Sequence, residues 1–127
     1  MKLDDWLQRQ IERLGAALAV LLGVSDDAVV TEVDAALEDL VGLKLSVLER
    51  LAPEASTRLI SMRYGEFSPE RVYAALRLID ALVERVPARG PTLQPRRDAL
   101  YAALLAEIGP DGIAALDRSL HLPPEPS

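Results

Sequence analysis

Few side chains in this sequence have the type and spacing that metal chemistry requires. There is no cysteine, and His121 is the single histidine, so a zinc site built on Cys or His has too few ligands. The best carboxylate set is Asp34 and Glu38, four residues apart on one predicted helix face, with Asp39 beside them. Such a set could bind Mg²⁺, but acidic runs near a helix N-terminus more often serve capping and solubility. We therefore predict no metal site and no cofactor.

Motifs for nucleophilic catalysis and nucleotide binding do not occur in the sequence either. No serine lies in G-x-S-x-G, and the phosphate-binding patterns G-x-x-x-x-G-K and G-x-G-x-x-G do not occur. We predict no catalytic residues and favour a protein without enzymatic activity, while the question stays open.

The charge distribution argues against nucleic-acid binding. The formal net charge is −6, whereas phosphate binding needs a basic surface. The segment from Ala19 to Val29 mimics a helix-turn-helix, but its second helix would carry Asp26, Asp27 and Glu32 and no Lys or Arg. The charges are also uneven along the chain. The first 39 residues hold nine acids and three bases, whereas the segment from Arg58 to Arg97 holds eight arginines and four acids. Two such halves could attract each other within one molecule or between two.

The segment RYGEF is the best candidate for a partner-binding loop. Arg63, Tyr64, Phe67 and Arg71 cluster around it, and loops that combine aromatic residues with arginine often bind other proteins. Alternatively, Phe67 packs under the first turn of the following helix. Together with residues of the first helix, these form the predicted interaction surface: Trp6, Leu14, Leu18, Arg63, Tyr64, Phe67 and Arg71.

The first predicted helix runs from Asp4 to Leu22. Apolar residues repeat along it at spacings of 4, 3, 4 and 3, namely Leu7, Ile11, Leu14, Leu18 and Leu21. After Leu14 the helix becomes apolar all round, which is typical of a helix that is buried within its own fold or against a partner. We expect it to be central to the fold or shared between two chains.

Further helices are predicted from capping residues and periodicity. They begin at Ser25, near Leu45, at Pro53, at Ser68, at Arg96 and at Pro110, with Pro87 to Pro95 as a connector. The helix from Ser68 to Val86 repeats the spacing of the first, so the two are the expected central pair. No strand pattern is found. We predict an all-α, single-domain bundle of six to seven antiparallel helices over residues 1–122, with 123–127 as a flexible tail.

The opening residues resemble a family of small bacterial helical proteins of unknown function. The resemblance rests on Asp5-Trp6 followed by Arg9-Gln10-Ile11-Glu12, an acid-aromatic-x-x-R-Q-I-E pattern, and on the later helix start at Phe67-Ser68. It implies a tetratricopeptide-like arrangement of helices and brings no catalytic residue. The glycine-isoleucine-alanine-glutamate turn of that family is not clearly present around Gly42.

The N-terminus lacks the features of a signal peptide, because acids stand where positive charge is needed. The apolar run from Leu14 to Val24 is shorter than the roughly 20 residues of a membrane span. We therefore expect a cytoplasmic protein.

Three functional hypotheses follow. The first is a non-enzymatic protein-interaction or self-association module, such as a homodimer. The second is a small-molecule-binding protein or enzyme, with an inter-helix pocket lined by Trp6, Tyr73 or Tyr101, and Arg77 or Arg97. The third is an acidic regulator that mimics nucleic acid.

Overall fold

The helices and one small hairpin follow each other along the chain, and the computed structural model describes residues 5–121. The elements are α1 Asp5–Leu22, α2 Asp26–Val41, α3 Leu45–Arg50, α4 Pro53–Ser61, β1 Met62–Arg63, β2 Glu66–Phe67, α5 Pro69–Arg85, a 3₁₀ turn Pro87–Arg89 and α6 Gly90–His121. The prediction of an all-α single domain is confirmed. The predicted tail at 123–127 and helix start at Asp4 lie outside the described residues.

Several helix boundaries follow local signals that the sequence predicts. Ser25 precedes α2 in an extended conformation, and Pro53 and Pro69 stand at the first positions of α4 and α5. Gly42 ends α2 with a left-handed φ of 78°, and its N–H donates to the carbonyls of Leu37 and Glu38. Glycine suits this position because it has no Cβ to clash at positive φ.

The structure corrects the predicted connector before α6. The helix starts at Gly90 rather than Arg96, although Pro91 and Pro95 lie within it. Pro91 falls in the first turn, where backbone N–H groups have no helical partner. Pro95 has no N–H, so the helix lacks one backbone hydrogen bond at that position. The extension completely buries Leu93. Gly109, with φ 73° and ψ 173°, then breaks the helix, so the predicted start at Pro110 corresponds to the second half of α6.

The core is organised around α5, and α1 lies beside it. Nine of the 17 residues of α5 are buried, against three of the 18 in α1. α5 contacts α1, α2, α4 and α6, so neighbours surround it. The predicted packing of α1 against α5 is present, but a central place for α1 is wrong. The outer side of α1 is uncovered near its C-terminal end, where Leu22 is 86% exposed.

By length and composition alone, one helical stretch of the described residues, Pro87–His121, could cross a membrane. Its mean hydropathy reaches 1.4 over 18 residues, and 33% of that window is buried. The core helix of a water-soluble protein meets the same criterion. Here the stretch is interrupted at Gly109, and its buried side, including Leu100 and Leu104, packs into the core.

Candidate functional site

The predicted loop RYGEF is a β-hairpin with a two-residue turn. Met62 pairs with Phe67 and Arg63 with Glu66, and beyond them the N–H of Ser68 donates to the carbonyl of Ser61 at 2.6 Å. Strands of two residues are too short to show an alternating pattern, which explains why the sequence indicated no strand.

The turn of the hairpin holds a tyrosine in an unfavourable conformation. Tyr64 and Gly65 have φ angles of 54° and 79°, the pattern of a type I′ turn. Asn or Gly is usual at the first of these positions, and the left-handed conformation costs other residues about 1–2 kcal/mol. The side chain gains little from its own fold in return, because Tyr64 is 90% exposed. Strained, exposed residues of this kind are typical of functional sites.

Arg63 connects the hairpin with the beginning of α1. Its guanidinium carbon lies 5.1 Å from the centroid of the Tyr64 ring and 6.0 Å from that of Trp6. Both distances are within the range of cation–π attraction. The structure therefore brings Trp6, which is far away in sequence, together with the adjacent residues Arg63 and Tyr64. With Met62 and Phe67 they form a surface that we call the hairpin patch.

A pocket of about 390 Å³ opens within the hairpin patch. It is lined by Trp6, Arg63, Tyr64 and Phe67, and by three polar residues, Glu66, Ser68 and Glu70. Glu70 is only 8% exposed, and its carboxylate accepts a hydrogen bond from the Ser68 hydroxyl. Ser68 stands at the N-cap position of α5, but its hydroxyl bonds Glu70 instead of capping a backbone N–H. The sequence indicated the helix start here but missed the buried carboxylate.

Arg71, the fourth charged or aromatic residue predicted around the loop, holds the fold together. Its guanidinium donates to the carbonyl of Val41 at 2.5 Å and to the carbonyl of Met62 at 3.4 Å. It thus joins the end of α2 to the hairpin. Burial, and then the neighbouring charge of Arg63, lower the pKa of Arg71.

Leu14 and Leu18 do not lie on the hairpin patch. Leu14 is completely buried, and Leu18 is partly buried against the core, because α1 packs against α2, α5 and α6 on that side. The prediction that Leu14 belongs to an interaction surface is therefore wrong. Beyond Trp6, the large hydrophobic residues of this helix that are exposed are Val20 and Leu22.

An apolar groove of about 380 Å³ runs along α4 beside the hairpin. Its lining consists of Leu51, Ala55, Arg58, Leu59 and Met62, and we call it the α4 groove. Leu59 and Met62 are large hydrophobic residues that remain exposed. Met62 belongs both to this groove and to the hairpin patch, so the two surfaces are continuous. Leu59 lies in the last turn of α4 and Met62 is the first residue of β1, so helical periodicity in the sequence could not group them.

A second polar cluster joins α5 to both halves of α6. Asp117 accepts hydrogen bonds from the Tyr73 hydroxyl at 2.5 Å and from Arg77 at 2.8 and 3.1 Å. Asp80 accepts from Arg77 at 3.0 Å and from Arg97 at 2.8 Å. Burial, and then the hydrogen bond to Asp117, raise the pKa of Tyr73 well above its ordinary value.

This cluster changes the second functional hypothesis. The arginines proposed to line an inter-helix pocket are already bound by carboxylates of their own chain, and their guanidinium groups lie over the rings of Tyr73 and Tyr101 at 5.2 and 5.0 Å. Trp6 lies at the hairpin patch instead. Any ligand pocket is therefore better placed beside Trp6 and Glu70.

The acidic residues considered for Mg²⁺ are mostly engaged in other contacts. Asp34 accepts a hydrogen bond from the N–H of Leu45 at 2.7 Å, and Asp39 pairs with Arg13 at 2.7 Å. Among residues 5–121, no group of three or more His, Asp or Glu side chains is placed to hold a metal ion.

Comparison with protein-family models, with curated proteins and with solved structures finds no match for this chain. The resemblance of its opening residues to a bacterial helical family therefore stays a prediction. What the chain does has to be inferred from its own surfaces.

Proposed function

We propose that this chain is a non-enzymatic protein-interaction module that binds a partner protein through the hairpin patch and the α4 groove. The observation that carries the proposal is Tyr64, which is held in a left-handed conformation with its ring almost wholly in solvent. A residue that strains its own turn and packs against little else contributes more to binding than to folding.

The composition of the hairpin patch supports the same conclusion. Trp, Tyr, Arg and Met are enriched at protein interfaces, and Trp6, Tyr64, Arg63 and Met62 are all exposed here. Arg63 is already ordered between two aromatic rings. It would lose less side-chain entropy on binding than a free arginine, which favours affinity.

The charge and shape of the surface indicate the chemistry of the partner. The α4 groove is apolar, and Arg58 and Arg63 are exposed beside it without an ion-pair partner among residues 5–121. A complementary protein surface would insert aliphatic side chains into the groove and present carboxylates to the two arginines.

Site-specific photocrosslinking tests this proposal. The photoreactive residue p-benzoylphenylalanine replaces Tyr64 in the full chain inside the source cells, and a matched control carries it at Leu105, an exposed residue of α6. We expect discrete adducts from position 64, reduced at least tenfold by Trp6→Ala or Leu59→Asn and unchanged by Arg118→Ala. Adducts that are no stronger than those from position 105, or that persist in the patch variants, would refute the proposal.

The pocket beside Glu70 favours a small-molecule ligand as a second candidate. Its volume lies within the range of about 300–1,000 Å³ that is usual for ligand sites, and it combines aromatic walls with a buried carboxylate. A thermal-shift screen of metabolites tests this candidate. A genuine ligand would raise the melting temperature by several degrees, and Glu70→Gln would remove the shift. A complete screen without any such shift would count against a ligand site.

A further inference from the structure

A second exposed apolar surface lies at the C-terminal end of α1. Its members are Ala16, Ala19, Val20 and Leu22, bordered by the carboxylates of Glu12 and Asp27, and we call it the α1 end. Val20 and Leu22 are large hydrophobic residues that the fold leaves in solvent. From Trp6 to Leu22 the helix rises about 24 Å at 1.5 Å per residue, so the α1 end is far from the hairpin patch.

The two apolar surfaces differ in the sign of the charges that have no ion-pair partner beside them. At the α1 end, Glu12 and Asp27 are exposed and make no ion pair within residues 5–121. The side formed by α3, α4 and the hairpin has the opposite balance. Its exposed charges are four bases, Lys44, Arg50, Arg58 and Arg63, and two acids, Glu54 and Glu66. None of these bases forms an ion pair with a carboxylate of the described residues.

We propose that the occupant of the α4 groove is the α1 end of a second copy of this chain. This inference rests on the proposed function and names the partner. Ala19 and Leu22 of one copy, three residues apart on one helix face, enter the groove of the next copy beside Leu59 and Met62, and Val20 lies at the edge of the contact. The carboxylates of Glu12 and Asp27 then lie near the exposed arginines of the groove side. Apolar contact supplies affinity, and the opposite charges set orientation and association rate.

Charge also distinguishes this arrangement from a symmetric dimer. Pairing two α1 ends with each other would place Glu12 and Asp27 against copies of themselves, and two groove sides would bring Arg58 and Arg63 together. Like charges facing each other across an interface disfavour both arrangements. Contact between different surfaces is head-to-tail, so it continues from copy to copy until a ring closes or a filament forms.

Paired surface variants test the head-to-tail arrangement by light scattering after gel filtration. One variant carries Val20→Asn and Leu22→Asn, and the other carries Leu59→Asn and Met62→Asn. All four residues are exposed, so the fold should be retained, which circular dichroism checks. The control is Leu105→Asn, another exposed apolar residue.

We expect the wild-type chain and the control to exceed the 13.8 kDa monomer mass, with the mass rising with concentration and falling in high salt. Each paired variant alone should be monomeric. A 1:1 mixture of the two should form a species of twice the monomer mass, because one intact α1 end then meets one intact groove. A wild-type chain that stays monomeric at millimolar concentration, or a mixture that stays monomeric, would overturn the inference. An oligomer that either paired variant still forms alone would also overturn the inference, because it would indicate a symmetric contact. Crosslinks from position 64 to a different protein would leave the proposed function standing in each of these cases.

Discussion

Replacing Asp117 by alanine should separate the second half of α6 from the rest of the fold. The Asp117 carboxylate accepts three hydrogen bonds from α5, one from Tyr73 and two from Arg77. Because Gly109 breaks α6, the segment after the break is not held by a continuous helix. Its attachment depends on apolar packing, including Ile113 in the core, and on these bonds.

The size of the effect follows from burial. Tyr73 is fully buried, and a buried hydroxyl left without a partner costs about 1–3 kcal/mol. The Asp117 side chain is 36% exposed, so solvent screens its ion pair, which we count at no more than about 1 kcal/mol. Arg77 keeps its bond to Asp80. We expect a loss of about 2–3 kcal/mol in the free energy of unfolding, or roughly 10 °C in melting temperature for a domain of this size.

Urea unfolding followed by circular dichroism measures the loss. The matched control is Glu107→Ala, an exposed acid on the same helix without an ion pair in the described chain, which should change stability by less than about 0.5 kcal/mol. Tyr73→Phe alone should cost about 1 kcal/mol, since it removes only the hydroxyl. The double variant should lose less than the sum of the two, because phenylalanine leaves no unpaired hydroxyl. Hydrogen exchange should show lost protection over residues 110–121. If Asp117→Ala costs no more than Glu107→Ala, or if the two changes are additive, the cluster does not hold α6 as argued.

Three further outcomes are expected. Tyr64→Asn should raise the free energy of unfolding by about 1 kcal/mol, because asparagine tolerates the left-handed turn, while weakening partner capture; an unchanged stability would contradict the strain argument. Leu104→Ala should cost about 2–5 kcal/mol by opening a cavity, whereas the same change at its exposed neighbour Leu105 should cost less than about 1 kcal/mol; equal losses in urea unfolding would contradict the core assignment. Tyr73 has a raised pKa in the folded state, so its hydroxyl keeps its proton to a higher pH than in the unfolded chain. Its contribution to the free energy of unfolding is therefore complete below its unfolded pKa, near 10, and is lost as the pH rises further. Above pH 10 the wild-type stability should therefore fall about 1.4 kcal/mol per pH unit faster than that of Tyr73→Phe; parallel pH profiles would show that the Tyr73 hydroxyl is not the group responsible.

Local signals in the sequence were sufficient to locate most helices. The apolar period of α5, the prolines at the starts of α4 and α5, and Gly42 at the end of α2 act through residues within about one helical turn of each other. The side of each helix that faces the core can be predicted from the same spacing. Leu14 was correctly placed on an apolar helix face in this way.

Tertiary packing decided which helix is central and which residues meet in the candidate site. Helices 1 and 5 have the same apolar period, and only the packing of α2, α4 and α6 around α5 distinguishes them. Tyr73 and Asp117 are 44 residues apart and share a hydrogen bond. Trp6 meets Arg63 across an even longer stretch of chain. Helical periodicity shows which face of a helix is apolar, but not which other helix that face packs against. The pairing of helices depends on burying the apolar surface of the whole chain together, which no single helix determines. For this reason the sequence could propose Trp6, Arg63 and Tyr64 as binding residues, while only the folded structure shows that they form one surface.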